Sequence, residues 1–185
     1  INIIETKMPG IMTFQKKLTI NKKINSWKDI LKSENLTHLC VIERHGKNGD
    51  IAHGFIKNFN LKKGAVASSV GHDAHNIIVA GLNKDDMKFA TEIIEEYQGG
   101  IVIVNNKKII SSIKLPVAGL ISDKKANEIA KESKIFKKHW KNSGCTLPYM
   151  GFNLLSLSVI PNFRITNKGL VDVNSMKIIP LIEKL

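Results

Sequence analysis

Short apolar runs separated by turn residues are the feature that most limits how this chain can fold. Residues 39–42 and 77–80 are continuous apolar runs of the kind that buried strands show. Two longer segments instead repeat apolar residues at helical spacing, one after Asn83 and one after Ser122 or Asp123. The pattern predicts an α/β fold, with α+β as the alternative, in which two main amphipathic helices pack on a mixed β-sheet.

The first 25 residues differ from the rest because they show no clear period. We interpret residues 1–25 as a connector from an upstream domain, and residues 26–185 as one domain. Ser26 marks the start of that domain, since it can cap a short helix with Asp29 as its capping-box partner. The chain begins with Ile1 rather than Met, so we expect it to be a piece of a longer protein.

The sequence also predicts where the protein resides. It has no apolar run of about 18 residues or more, so no transmembrane helix is expected. No basic region followed by an apolar stretch opens the chain, so no signal peptide is visible. Cys40 and Cys145 are too few for a disulfide framework and are interpreted as reduced, buried thiols. These observations predict a cytoplasmic protein that has no membrane partner.

The net charge of +12 first suggests a nucleic-acid partner. However, among 28 basic residues only Arg44 and Arg164 are arginine, and the lysines are spread in pairs over many segments. Such lysines indicate a solvated surface, and an aromatic content of 6% is low for a platform that stacks single-stranded bases. We therefore expect no nucleic-acid partner, and a basic nucleic-acid-binding module is kept as an alternative.

The densest polar cluster is His72-Asp73-Ala74-His75-Asn76, between two predicted strands. In a strand His72 and His75 would point to opposite faces, whereas in a turn they could converge. Converging imidazole and carboxylate groups suit acid–base chemistry or ligand binding. The alternative is a turn in which the Asp and Asn side chains bond to their own backbone, and the local sequence does not separate the two.

A second polar cluster, Glu43-Arg44-His45, follows the first buried strand. It is either part of a site or a strand end that reaches solvent. The chain has neither HExxH nor the HxE and PCxxC of zinc deaminases, so no metal ligand is predicted. The isolated histidines, which we interpret as surface or structural residues, are His38, His53 and His139.

Several blocks in the same order make the sequence similar to a known family. VIERH at 41–45, KGAVASSV at 63–70, HDAHNIIV at 72–79 and LPVAGL at 115–120 resemble the C-terminal domain of adenine deaminases. These enzymes belong to the amidohydrolase superfamily. The resemblance extends over residues 36–173, and the number of ordered blocks makes it more specific than any one of them.

The sequence departs from the family pattern at three places. Gly46 stands where a second His usually follows the ERH run, and Ala74 stands where the family has Ser. Asn58 and Asn60 replace the glycines of a Gly-Phe-Gly segment. As a result His45 has no neighbouring His, and the 72–76 cluster lacks a hydroxyl group at Ala74.

The resemblance implies that the whole enzyme hydrolyses adenine to hypoxanthine and ammonia, with manganese or iron bound mainly on an N-terminal amidohydrolase barrel. It implies that this chain packs against that barrel of the same polypeptide, caps its active site and contacts adenine, while the chain alone is inactive and binds no metal. A homo-oligomer is left open. The implied catalytic residues are His72, Asp73 and His75. The residues implied in substrate binding or in support of the loop are Glu43, Arg44, His45 and Asn76.

Two further alternatives stay open at this point. The domain could serve only to stabilise or dimerise the enzyme, in which case its polar clusters have no chemical role. Alternatively the chain could be a metal hydrolase in its own right that uses both clusters as ligands, in which case metal should bind to this chain by itself.

Overall fold

Two β-sheets and the helices that cover them make up the structure, a computed structural model that describes residues 1–7, 10–20 and 26–183. The strands are β1 (Asn2–Thr6), β2 (Thr13–Lys17), β3 (Leu36–Ile42), β4 (Ile51–Lys57), β5 (Ala65–Gly71), β6 (Asn76–Gly81), β7 (Gly100–Asn105), β8 (Lys108–Lys114), β9 (Phe163–Thr166), β10 (Gly169–Asp172) and β11 (Lys177–Ile179). The helices are α1 (Trp27–Ser33), α2 (Lys84–Glu96), α3 (Ala126–Asn142) and α4 (Tyr149–Asn153), and a 3-10 turn follows at Leu154–Ser156.

The larger sheet contains eight strands in the order β2-β1-β4-β3-β6-β5-β7-β8. β1 and β4 run parallel, whereas the other neighbouring strands run antiparallel. β9, β10 and β11 form a second, antiparallel sheet. The mixed sheet with its helices confirms the predicted fold class. None of the helices in the described ranges has the length and apolar character needed to cross a membrane.

The N-terminal segment is more ordered than predicted, because β1 and β2 belong to the larger sheet and are not an irregular connector. The signal was weak because each strand has five residues and β2 is mostly polar. Ile3 and Ile4 are nevertheless fully buried, in core clusters on opposite faces of the sheet. Residues 8–9 and 21–25 lie outside the described residues. The connection of this segment to an upstream barrel stays a prediction.

Both ends of the chain meet beside β1. The backbone N–H of Asn2 donates to Leu181 O at 2.9 Å, and its side-chain amide donates to Pro180 O at 2.7 Å. Asn2 is buried, so these bonds satisfy groups that water does not reach. The C-terminal segment is thereby attached to the first strand of the chain.

Alternation along β3 divides the core into two layers. Leu39 and Val41 face the layer that contains α3, α4 and the second sheet, where they share a cluster with Phe136 and Ile165. Cys40 faces the other layer and belongs to the cluster under α2. α1 covers the neighbouring part of that second face. Each face of β3 therefore presents its side chains to a different part of the molecule.

The helix ends test three predicted caps. Asn83 caps α2, since its side chain accepts a backbone N–H of the first turn at 2.8 Å, and Ser26 caps α1 in the same way. The prediction for α3 is wrong, because Lys125 occupies the cap position and makes no side-chain capping bond, in place of Ser122 or Asp123. Burial of one apolar face stabilises α3 without a cap.

Candidate functional site

The two polar clusters of the sequence come together at one edge of the larger sheet. β3 and β6 are antiparallel, and Ile42 at the end of β3 pairs with Ile77 near the start of β6. The turn before β6, residues 72–75, is therefore adjacent to residues 43–45, which follow β3. The strand register alone accounts for this proximity.

The 72–75 turn is held from beneath by the 3-10 turn and the end of α4. The backbone N–H of His72 donates to Asn153 O at 3.0 Å. The hydroxyl of Ser156 donates to His72 O. His75 then takes a left-handed conformation, with φ 53°, which reverses the chain into β6. The backbone of the turn is thus fixed by contacts that leave its side chains free.

Arg44 and His45 hold the same turn from the side. The Arg44 guanidinium donates through Nε to His75 O at 2.6 Å and through Nη2 to Ala118 O at 2.8 Å. The Nε2–H of His45 donates to Ala74 O at 2.8 Å. Burial lowers the pKa of Arg44 from its ordinary value. Both side chains are therefore engaged with backbone carbonyls.

Glu43 is a buried carboxylate that orders its own loop. It accepts backbone N–H groups from His45, from Lys47 at 3.0 Å, from Asn48 at 3.3 Å and from Gly49 at 3.2 Å. Burial would raise the pKa of this carboxyl, but the four amides outweigh burial and hold the pKa below its usual value. Glu43 therefore supports the candidate site by fixing the loop that carries Arg44 and His45.

The side chains of the 72–76 cluster converge as a turn permits. The rings of His72 and His75 have centroids 5.4 Å apart and meet edge to face. Asp73 is exposed. The Asn76 side-chain amide donates to Asn167 Oδ1 at 3.2 Å. The Nδ1 atom of His75 and the Oδ1 atom of Asn76 are buried, and neither has a hydrogen-bond partner within the described part of the chain.

A cleft of about 310 Å³ opens over this turn, which is near the lower limit of small-molecule sites. Its polar lining includes His72, Asp73, Asn76, Ser156, Asn167 and Lys168. A second cleft of about 580 Å³ lies beside it and is lined by Glu43 and His45. The two clefts share the side chains of Asn76, Asn167 and Lys168. The arrangement offers imidazole, carboxylate and amide groups to one bound molecule.

Sequence reasoning missed four of the contributors to this site. Asn167 and Lys168 form the hairpin turn between β9 and β10. Asn153 and Ser156 lie in a stretch that resembles the family only loosely. No local signal marks Ser156 and Asn167, because they lie 84 and 91 positions from the residues of the 72–76 cluster that they contact.

Histidines that the sequence treated separately also come together, outside these clefts. His38 and Cys40 on β3 and His53 on β4 place three potential ligand atoms within 4.8 Å of one another. It is the one such group of three among the described residues. Burial and the neighbouring His53 lower the pKa of His38 to about 4, and burial raises the pKa of Cys40 to about 12.

Comparison with known proteins agrees with the resemblance. Residues 11–177 match the family model described as the adenine deaminase C-terminal domain. An adenine deaminase of Chelativorans sp. is 52% identical over 181 residues, which cover 97% of this chain and 30% of that protein. Adenine deaminase 2 of Bradyrhizobium sp. is 52% identical over 184 residues, or 99% of this chain and 30% of that protein.

A more distant relative gives the same result. The adenine deaminase of Methanococcoides burtonii is 40% identical over 148 residues, which cover 79% of this chain and 25% of that protein. The chain thus spans about a third or less of the curated relatives that it matches. Because the family model covers most of the described strands and helices, this chain belongs to the adenine deaminase C-terminal domain family.

Proposed function

We propose that this chain is the C-terminal domain of an enzyme that hydrolyses adenine to hypoxanthine and ammonia, and that its 72–76 turn closes the active site of an N-terminal amidohydrolase barrel. The names and lengths of the relatives support this proposal, since each is an adenine deaminase of about three to four times the matched length. Free, buried cysteines support a cytoplasmic enzyme. A homo-oligomer stays a prediction.

One observation supports the proposal that the turn belongs to an active site. His75 Nδ1 and Asn76 Oδ1 are buried without partners among the described residues, although the carbonyls of Ala74 and His75 accept hydrogen bonds. An unpaired buried polar atom costs about 1–3 kcal/mol, so such atoms persist where a ligand or partner satisfies them. Of these two residues Asn76 lines the 310 Å³ cleft, which also offers Asp73, whose carboxylate is exposed to an incoming molecule.

The chemistry of adenine hydrolysis determines which roles these side chains would have. Water must attack the ring carbon that bears the amino group, and a proton must reach that nitrogen before ammonia leaves. Asp73 and His75 are suited to bond the purine edge or to transfer such a proton, and His72 packs edge to face on His75. Asn76 and Asn167 supply further amide groups that can hold the base.

The metal of the family does not fit this turn. The described residues of the two clusters do not bring three ligand atoms together, and Glu43, Arg44 and His45 already bind backbone groups. We therefore expect manganese or iron to be held by the barrel, and we assign no step through a metal to this chain. It follows that the chain alone should not deaminate adenine, with or without added manganese.

The test is made in the full-length enzyme that contains this domain. Asp73→Asn and His75→Asn should each lower kcat for adenine by about 100-fold, the usual loss when a group that transfers a proton is removed. Asp123→Asn and His139→Asn are matched controls, because they make the same chemical changes away from the clefts, and their kcat should be unchanged.

Two results would overturn the proposal. If both variants of the turn kept wild-type kcat and KM, the domain would be a stabilising or dimerising unit. If the chain alone released ammonia from adenine with manganese, the chemistry would lie in this domain and not in a barrel. Circular dichroism of each variant shows whether a lost rate reflects lost folding.

A further inference from the structure

The His38, Cys40 and His53 cluster lies on the face of the larger sheet that α1 and α2 cover. His38 and Cys40 are two positions apart on β3, so they share a face, and His53 on β4 is the direct cross-strand partner of Cys40. Val41, which lines the 310 Å³ cleft, points to the opposite face. The cluster is therefore separate from the candidate active site and does not depend on the proposed function.

We propose that His38 Nε2, Cys40 Sγ and His53 Nδ1 form a binding site for one zinc ion or an ion of similar size and softness. The three atoms face one another at 3.2 Å between the two nitrogens, 3.5 Å from Cys40 Sγ to His38, and 3.2 Å from Cys40 Sγ to His53. No other described Cys, His, Asp or Glu belongs to this group.

The distances match those around a tetrahedral ion. With bonds of about 2.0–2.1 Å to nitrogen and about 2.3 Å to sulfur, tetrahedral angles separate ligand atoms by about 3.3–3.6 Å. The three distances found here lie at or just below that range. Ligation therefore requires a movement of only a few tenths of an ångström in each side chain.

Packing on two sides holds the ligands in place before an ion arrives. The Cys40 side chain is buried in the core cluster under α2. The His38 ring stacks on the His53 ring, with centroids 5.3 Å apart and planes inclined by 19°. The centroid of the Phe55 ring lies 5.5 Å from that of His38. Phe55 in turn packs on Trp27 of α1. Ordered ligands lose little side-chain entropy when they bind an ion.

The donor set selects the class of ion. Two imidazole nitrogens and one sulfur suit zinc and other borderline or soft ions, whereas magnesium and calcium require oxygen ligands. On binding, the Cys40 thiol releases its proton to solvent and coordinates as a thiolate, and no electron is transferred. His53 is exposed, so solvent reaches the fourth tetrahedral position and a water molecule completes the set.

The experiment uses this chain after treatment with a chelator and titrates it with Co²⁺ as a spectroscopic probe, then with Zn²⁺ in competition. One equivalent of Co²⁺ should bind, with the visible bands of a tetrahedral site and a thiolate charge-transfer band, and Zn²⁺ should displace it. Cys40→Ser and His53→Gln should weaken binding beyond the roughly 10–100-fold that the loss of a supporting contact costs.

Matched controls change the same residue types elsewhere. Cys145→Ser removes the other buried thiol and His139→Gln removes a histidine of α3, and both should bind Co²⁺ as the wild type does. If Cys40→Ser does not fold, His53→Gln decides the matter, because its side chain is exposed. Failure to bind one equivalent, or equal binding by His53→Gln and the wild type, would overturn the proposal.

Discussion

The 72–76 turn and the cluster of His38, Cys40 and His53 both adjoin β3, but their polar atoms are arranged in opposite ways. In the 72–76 turn the carbonyls of Ala74 and His75 accept hydrogen bonds, while polar side-chain atoms of His75 and Asn76 have no partner among the described residues. In the His38, Cys40 and His53 cluster the polar atoms face each other at hydrogen-bond distances. The first arrangement leaves polar atoms open to a partner, whereas the second brings three potential ligand atoms within 4.8 Å of one another. Unpaired atoms and convergent atoms thus indicate different kinds of ligand.

The largest loss of stability should come from replacing Arg164, which holds the segment beneath the 72–75 turn. Arg164 is fully buried and donates to the carbonyls of Leu154, Ile160, Pro161 and Ile11 at 2.9–3.2 Å. Burial lowers the pKa of its guanidinium to about 10. Arg164→Met leaves several carbonyls unpaired, and we expect the free energy of unfolding to fall by about 3–4 kcal/mol, measured by urea denaturation.

A surface change in the same region is the comparison. Lys168→Met alters an exposed side chain of the β9–β10 turn and should change the free energy of unfolding by about 0.5 kcal/mol or less. Equal losses in the two variants would show that Arg164 does not anchor the segment beneath the turn. The Co²⁺ affinity of the folded fraction should be the same in both, because neither residue contacts the ion cluster.

A smaller effect is expected at Gly119, which lies against Arg44. A Cβ atom at Gly119 would stand 2.6 Å from Arg44 Nη2, and its φ of +76° is also unfavourable for Ala. Gly46 has a similar φ of +72° with open space around it, so Gly46→Ala measures the backbone cost alone. Gly119→Ala should be less stable than Gly46→Ala by about 1 kcal/mol in thermal or urea unfolding, as Arg44 leaves its carbonyls.

The difference between these glycine variants tests whether Arg44 holds the turn. In the full-length enzyme, Gly119→Ala should raise KM for adenine more than Gly46→Ala does, since His75 O loses its donor. If the two variants have the same stability and the same KM, the contact of Arg44 with the turn contributes neither to folding stability nor to the binding of adenine.

The smallest effect is the pH dependence that Glu43 contributes. Its folded pKa lies below the ordinary value of 4.5, so the unfolded chain binds more protons in this range. This contribution to stability is therefore present above pH 4.5 and is lost as the pH falls through the folded pKa. Glu43→Gln should be less stable at pH 7 and should lose less stability on acidification, measured by urea unfolding between pH 7 and pH 3.

An exposed glutamate provides the reference for that measurement. Glu92 pairs with Lys88 on the surface of α2, and Glu92→Gln should change the free energy of unfolding at pH 7 by about 1 kcal/mol or less. A wild-type profile that is flat below pH 4.5 would mean that the four amides around Glu43 do not favour its ionised form.

Local signals explain what the sequence could predict. The caps Ser26 and Asn83 bond to amides three positions away, and the β9–β10 turn is set by neighbouring residues, so these features are visible in short segments. The convergence of residues 43–45 with 72–76 was expected mainly from the family resemblance. Its geometry, with Arg44 and His45 directed to carbonyls, required the strand register.

Features that depend on contacts between distant parts of the chain could not be predicted, because short segments carry no signal for them. His53 meets Cys40 only because β3 and β4 pair in one register, and a slip of one residue would move His53 to the opposite face. Asn167 meets Asn76 across 91 positions of sequence. β1 and β2 lacked a clear period, since their burial depends on strands that follow much later in the chain.

The contact of Asn2 with Pro180 and Leu181 has a consequence for chain topology. Since Asn2 bonds to Pro180 and Leu181, the first strand and the described C-terminal segment of this chain lie side by side. A short linker could join these ends, and a circular permutant opened at the exposed turn 106–107 would keep every strand pairing of both sheets. The order in which the strands are synthesised is thus separable from the order in which they pair.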